Sequence, residues 1–242
     1  MAERSLCDQL IDDLSAGLPK KWTVYEKDGL YPPDLPCKAN LRDAKWQARE
    51  AWFGAGKNYR NVVLLAIGTG IAAGTVIDGN PLRGAHLRHG ELGWMVPGRD
   101  FLSRKYVGFG ALETEASGPG IVNRASRLLS GTKNEILLEE LDSEYVFKAA
   151  KRGEGWAEEC VAETVVYLAV LIANTMAFYD PDIILLSGGV SRSSDMLIPP
   201  IMKLIEGCVL TQPYIVASTL GYKAGVLGAI INLIQNCPEV IR

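Results

Sequence analysis

One segment limits what this chain can fold into more than any other: Asn61-Val-Val-Leu-Leu-Ala-Ile-Gly68-Thr69-Gly70-Ile71-Ala-Ala-Gly74-Thr-Val-Ile-Asp78-Gly79. It reads as a buried apolar strand, a tight Gly-Thr-Gly turn, a second apolar strand and a closing Asp-Gly turn. A hairpin tip of this composition presents bare backbone N–H groups and one hydroxyl, a chemistry that suits a terminal phosphate. Glu91 follows in Gly90-Glu91-Leu92-Gly93, a carboxylate bracketed by glycines and able to accept bonds from vicinal hydroxyls. Gly-Thr-Gly alone more often just joins two strands, so the chemistry rests on what accompanies it.

The rest of the chain supplies a frame. With 242 residues and 48% apolar content it can bury a sizeable core, as one large domain or two small ones. A net charge of −3 with the signs mixed and no basic run gives no case for nucleic acid. The five cysteines (Cys7, Cys37, Cys160, Cys208, Cys237) are widely spaced without a Cys-x-x-Cys pair, which favours reduced thiols in a cytoplasmic protein. No uninterrupted apolar run approaches ~18 residues, so no signal peptide or membrane span is expected.

Periodicity places a short helix at 5–16, a Pro-rich loop at 28–36 and a helix over 43–53 ending at Gly54-Ala-Gly56. Strands are expected near 61–67, 71–78 and 92–97, antiparallel and adjacent. Helices follow at 119–129, with Ser117 as N-cap, at 143–151 and at 156–178, the last stopped by Asp180-Pro181. A buried strand at 182–187 runs into Gly188-Gly189, then come a helix at 196–206, a strand at 214–218 and a helix at 224–234. Hairpins first and helix–strand alternation later imply an α/β chain with a mixed sheet flanked by helices.

A phosphate cradle with a hydroxyl-binding carboxylate close behind points to phosphoryl transfer to a sugar. The ordered matches Gly68-Thr-Gly-Ile-Ala-Ala-Gly74, Ile77-Asp-Gly79, Leu82-Arg-Gly-Ala-His86 and Gly90-Glu-Leu-Gly93 resemble those of ROK-family sugar kinases. Leu112-Glu113, Ala116-Ser-Gly118-Pro, Ile172-Ala-Asn174, Ser187-Gly-Gly-Val-Ser191 and Gly221-Tyr-Lys-Ala-Gly225-Val-Leu-Gly228 extend the likeness, which covers roughly residues 50–235. The resemblance implies the ribonuclease-H-like fold of the actin-like ATPases. Residues 1–57 are expected to be a remnant of the small N-terminal domain and 58–242 the C-terminal domain.

The same resemblance implies roles. ATP with Mg2+ would lie with its phosphates on Gly68, Thr69 and Gly70 and its adenosine beside Gly188 and Gly189. Glu91, Glu113 and His86 would hold the sugar, Glu113 serving alternatively to complement a helix dipole. Asp43 would take the proton of the attacking hydroxyl. A homodimer is implied too, with neither nucleic acid nor membrane as partner.

Three departures qualify this. The family's N-terminal Asp-x-Gly-Gly-Thr loop has no counterpart before Gly54, and Arg42-Asp43-Ala44 stands where an Asn-Asp pair is expected. Structural zinc is not expected: Trp94 replaces the family's His, and Arg104, Tyr106 and Ala111 lie in place of its three-Cys loop. This sequence is therefore expected to be a poor kinase or none, the alternative being a non-catalytic sugar-binding or regulatory relative.

Overall fold

The computed structural model describes residues 54–82, 84–86, 88–130 and 141–219. The expected helices at 5–16, 43–53 and 224–234, and the loop at 28–36, lie outside the described residues.

Continuous apolar runs, buried on both faces at the central strands, build the sheet. Its strands are β1 (Val62–Ile67), β2 (Ile71–Ile77), β3 (Asn80–Pro81), β4 (Ile183–Ser187) and β5 (Ile215–Ala217), in the spatial order β3-β2-β1-β4-β5. β1 pairs antiparallel with β2 in the register Ile67↔Ile71, and β4 and β5 continue parallel from β1. These are the hairpin and parallel extension that the sequence implies.

The third strand is a correction. Residues 92–97 are no strand; Leu92–Trp94 is a 3₁₀ turn closed by Trp94 N–H to the Glu91 carbonyl (3.1 Å) and Met95 N–H to the Leu92 carbonyl (3.0 Å). The edge of β2 is already taken. Asp78 and Gly79 both adopt positive φ (50° and 76°), the geometry of a tight hairpin turn, and return the chain as Asn80–Pro81 against Val76 and Ile77.

Four helices follow from the same face: α1 (Glu113–Ala116), α2 (Gly118–Leu129), α3 (Ser143–Lys151) and α4 (Gly155–Tyr179), with α5 (Ser194–Ile205) between β4 and β5. Ser117 caps α2 by accepting from Gly120 N–H, and Asp142 caps α3 by accepting from Tyr145 N–H at 2.7 Å. Asp180, at φ 42°, ends α4 in the left-handed region just before Pro181.

The two sheet faces follow the strand period. Val63, Leu65, Ile67, Ile184 and Leu186 face the helices and join Ile121, Leu168, Leu171 and Ile201 in the main core. Val62, Leu64, Val76, Ile183 and Leu185 form a second apolar cluster with Ala55 and Val216. By length and composition α4 could cross a bilayer despite lacking an uninterrupted apolar run, but half of its apolar window is buried. Cys160, Leu168, Leu171 and Ile172 are almost wholly enclosed, which makes it the central core helix.

Candidate functional site

The site begins where two parallel strands end. At the β1–β2 tip, Gly68 N–H donates to the Gly70 carbonyl (3.0 Å) while the Gly68 carbonyl accepts from Gly118 N–H (2.8 Å) at the start of α2. Thr69 is exposed, and neither its N–H nor that of Gly70 donates to any of the described residues. Beside it, β4 exits through Gly188, at φ 91°, where a Cβ would collide with the Ile67 carbonyl oxygen. Only glycine fits there. Gly189 has open space on its Cβ side, and Ser191 Oγ donates to the Gly188 carbonyl at 2.7 Å. The fold thus brings Gly68–Gly70 and Gly188–Gly189 together at the carboxyl ends of neighbouring parallel strands, where open α/β sheets place ligands.

Glu113 ties this tip to the following loop. It is 6% exposed. Its Oε2 accepts from Ile71 N–H at 3.0 Å and its Oε1 from Gly110 N–H at 2.6 Å. Gly70 and Gly93 crowd the same carboxylate; a Cβ at Gly70 would lie 2.8 Å from Oε2, and one at Gly93 would collide with it. A carboxylate offers roughly four acceptor sites, so two remain beyond these backbone donors. At the first residue of α1, Glu113 does more than complement a helix end: it joins β2, the 3₁₀ turn and the loop before α1.

Glu91 is exposed at the entry of the 3₁₀ turn, and its side chain makes no cap bond. Its backbone is nevertheless pinned, because the Gly90 carbonyl accepts from Ala73 N–H at 2.6 Å. Gly90 sits at φ 87° with the Ala73 carbonyl where a Cβ would be. The two histidines differ. His86 is exposed in a turn, whereas the ring of His89 meets Tyr179 edge-on at 5.9 Å. His89 Nε2 is buried with no hydrogen-bond partner among the described residues. Burial holds the His89 pKa below its ordinary 6.5 and raises that of Tyr179 above 10.0. Asp43 lies outside the described residues.

Trp94, Arg104, Tyr106 and Ala111, which stand where the resemblance implies a zinc site, carry no thiolate or imidazole. Trp94 is 49% exposed and offers no ligand atom. Among the described residues no group of three or more His, Cys, Asp or Glu side chains could hold an ion.

One functional-looking element escaped the sequence reading. Arg124, on α2, is buried, and its Nη2 lies 3.0 Å from Glu115 Oε2 while Nη1 donates to Thr164 Oγ1 at 3.1 Å. An arginine in the apolar rhythm of a helix carries no sequence mark of the carboxylate it will meet.

This sheet order, with two antiparallel pairings followed by parallel strands and glycine turns at their ends, is that of a ribonuclease-H-like domain. The sequence matches the ROK family over residues 34–236, and the chain belongs to that family. It is similar to the glucokinase of Halalkalibacterium halodurans, 33% identical over 190 residues that cover 74% of this chain and 58% of that protein. It is also similar to the bifunctional enzyme NanE/NanK of Brucella melitensis, 34% identical across 86% of this chain and 39% of that protein. The chain thus spans about 58% and 39% of the length of these two curated relatives. A Streptomyces griseus ROK glucokinase solved with glucose and AMPPNP superposes with TM-score 0.69 over 81% of this chain and 67% of that one, at 24% identity. A ROK transcriptional regulator described as a homolog of the E. coli MLC protein superposes with TM-score 0.67 over 78% of this chain and 49% of that one, at 27% identity.

Proposed function

We propose that this chain carries the nucleotide- and sugar-binding half of an ATP-dependent hexose or hexosamine kinase. The observation that carries this reading is the adjacency of two glycine turns at the ends of parallel β1 and β4, with Glu113 locking one of them to the loop behind Glu91. Thr69 and Gly70 supply N–H donors and a hydroxyl to phosphate oxygens, and Gly188-Gly189 lets a nucleoside approach the backbone closely. ATP with Mg2+ supplies the phosphoryl group and neutralises its charge when bound.

On the sugar side, exposed Glu91 accepts from vicinal hydroxyls on a backbone pinned to β2. Glu113 has acceptor capacity left over, and His86 is exposed on the preceding turn. Asp43 is the base that takes the hydroxyl proton. Residues 1–57 belong to a small domain and 58–242 to the large one. The protein works in the cytoplasm as a homodimer, without nucleic acid or membrane. The glucokinase and NanE/NanK relatives support the reaction class.

A second reading, sugar binding without turnover, is favoured by similarity to a putative xylose repressor of Caldicellulosiruptor, 26% identical over 77% of this chain. Coupled ADP release across a panel of hexoses and hexosamines, run beside calorimetry with the same sugars, separates the two. Binding with negligible ADP release selects the second reading, and no binding at all removes both.

A further inference from the structure

The loop from Gly98 to Ala111 cannot be held by burial alone, since Leu102 and Val107 are 73% and 90% exposed. Ordering such a segment costs conformational entropy that some other contact must offset. We propose that Arg104, Glu115 and Arg124 are positioning residues: they form a charged clamp that takes the place of a metal and holds this loop beside Glu113. The role assigned to the loop rests on the sugar-binding reading above.

Arg124 is the fixed base of the clamp. Its Nη2 donates to both Glu115 Oε2 (3.0 Å) and the Glu115 carbonyl (2.8 Å). Its Nη1 donates to Thr164 Oγ1, which donates in turn to the Cys160 carbonyl at 2.9 Å. The Glu115 side chain is 14% exposed and that of Arg124 8%, so the pair is desolvated, and each charge needs the other. From the loop, Arg104 Nη1 reaches the second Glu115 oxygen at 3.5 Å while its guanidinium lies 4.4 Å from the centre of the Phe101 ring. Phe101 stands edge-on to Tyr167 at 6.0 Å, and its carbonyl accepts from Tyr106 Oη at 3.2 Å. Tyr167 completes the circuit, 5.4 Å beneath the Arg124 guanidinium.

Two carboxylates of α1 therefore fix one loop. Glu115 holds residues 101–104 through Arg104, and Glu113 holds Gly110 through its N–H. Because Glu113 also holds Ile71 N–H, a shift of the loop reaches the hairpin tip.

Hydrogen exchange read by mass spectrometry tests the clamp on the full chain. Peptides across 98–111 and across β1–β2 are compared in wild type, Arg104→Ala, Arg104→Lys and Glu115→Gln, and sugar affinity is measured by calorimetry on the hexose and hexosamine panel. Arg104→Ala should speed exchange across 98–111 roughly tenfold and weaken sugar binding severalfold, with a smaller increase in exchange at the β1–β2 tip. Arg104→Lys, which keeps the charge, should recover part of both. Arg104 is half exposed, so its variants fold even if Glu115→Gln does not. Unchanged exchange in Arg104→Ala overturns the clamp. So does loosening of the wild-type loop by EDTA to the same extent, which would put a metal there after all. Faster exchange with unaltered sugar affinity overturns the positioning role. If wild type binds no sugar of the panel, the sugar reading falls and exchange alone decides the clamp.

Discussion

The hairpin tip and the loop before α1 lie side by side yet are held by opposite means. The tip is fixed by backbone: Gly68 exchanges bonds with Gly70 and Gly118, and Gly188 presses against Ile67. The loop is fixed by side chains, with Arg104, Tyr106 and Glu115 doing what buried apolar surface does elsewhere. Backbone contacts leave no chemical choice, since any Cβ at Gly188 meets a carbonyl. Side-chain contacts can be exchanged for others of equal reach. That difference leaves the side-chain contacts of the loop freer to vary than the glycine turns beside it.

The largest expected effect lies on the backbone side. Gly188→Ala should destabilise the domain by ~2–5 kcal/mol, combining a positive φ with a collision against Ile67. Urea unfolding checks it, and a loss below about 1 kcal/mol would show that the tip yields as readily as the loop.

Next comes the residue shared by both regions. Glu113→Gln keeps the shape but leaves one acceptor oxygen for two buried N–H donors, those of Ile71 and Gly110. The expected cost is ~1–3 kcal/mol in the same unfolding measurement. Faster hydrogen exchange should appear in the tip and the loop together; a change in only one would mean that Glu113 does not link them.

Glu91→Gln probes recognition instead of folding. The exposed side chain should leave the unfolding midpoint in place while sugar affinity falls roughly ten- to hundredfold, as expected for lost charge-assisted bonds. Calorimetry with unchanged affinity would remove Glu91 from the sugar site.

The smallest effect is one of pH. Burial depresses the His89 pKa in the native state below its ordinary 6.5, so the unfolded chain binds more protons as pH falls past that value. The His89 contribution to stability is therefore complete above 6.5 and is lost as pH drops towards the native value. Thermal midpoints measured between about pH 7.5 and about pH 5 should fall less in His89→Phe than in wild type. Equal slopes would place the charge change elsewhere.

Much of this was legible in the residues themselves. The apolar strands near 61–67 and 71–78, the helix at 156–178 and the cap Ser117 follow from local geometry, and local geometry is what a pattern records. The third strand was misplaced because Leu92–Val96 is apolar enough for an edge, while Asp78-Gly79 claims that edge first. Glu113 read as a sugar ligand or a dipole partner. Its two backbone donors come from β2 and from the end of the loop, and no spacing announces them.

The sequence alone determined that a Gly-Thr-Gly hairpin opens a mixed sheet, that helices follow, and that the chain carries the motifs of the ROK family. Those are matters of period and turn chemistry, set within a few residues. Only the tertiary structure decided that Gly188 must be glycine because Ile67 lies against it, and that Glu113 joins two segments. It likewise decided that Arg124 is buried upon Glu115. A contact between residues far apart in the chain exists only once the core has brought them within bonding distance, and the cost of leaving a buried donor or charge unpaired then fixes which partners it keeps.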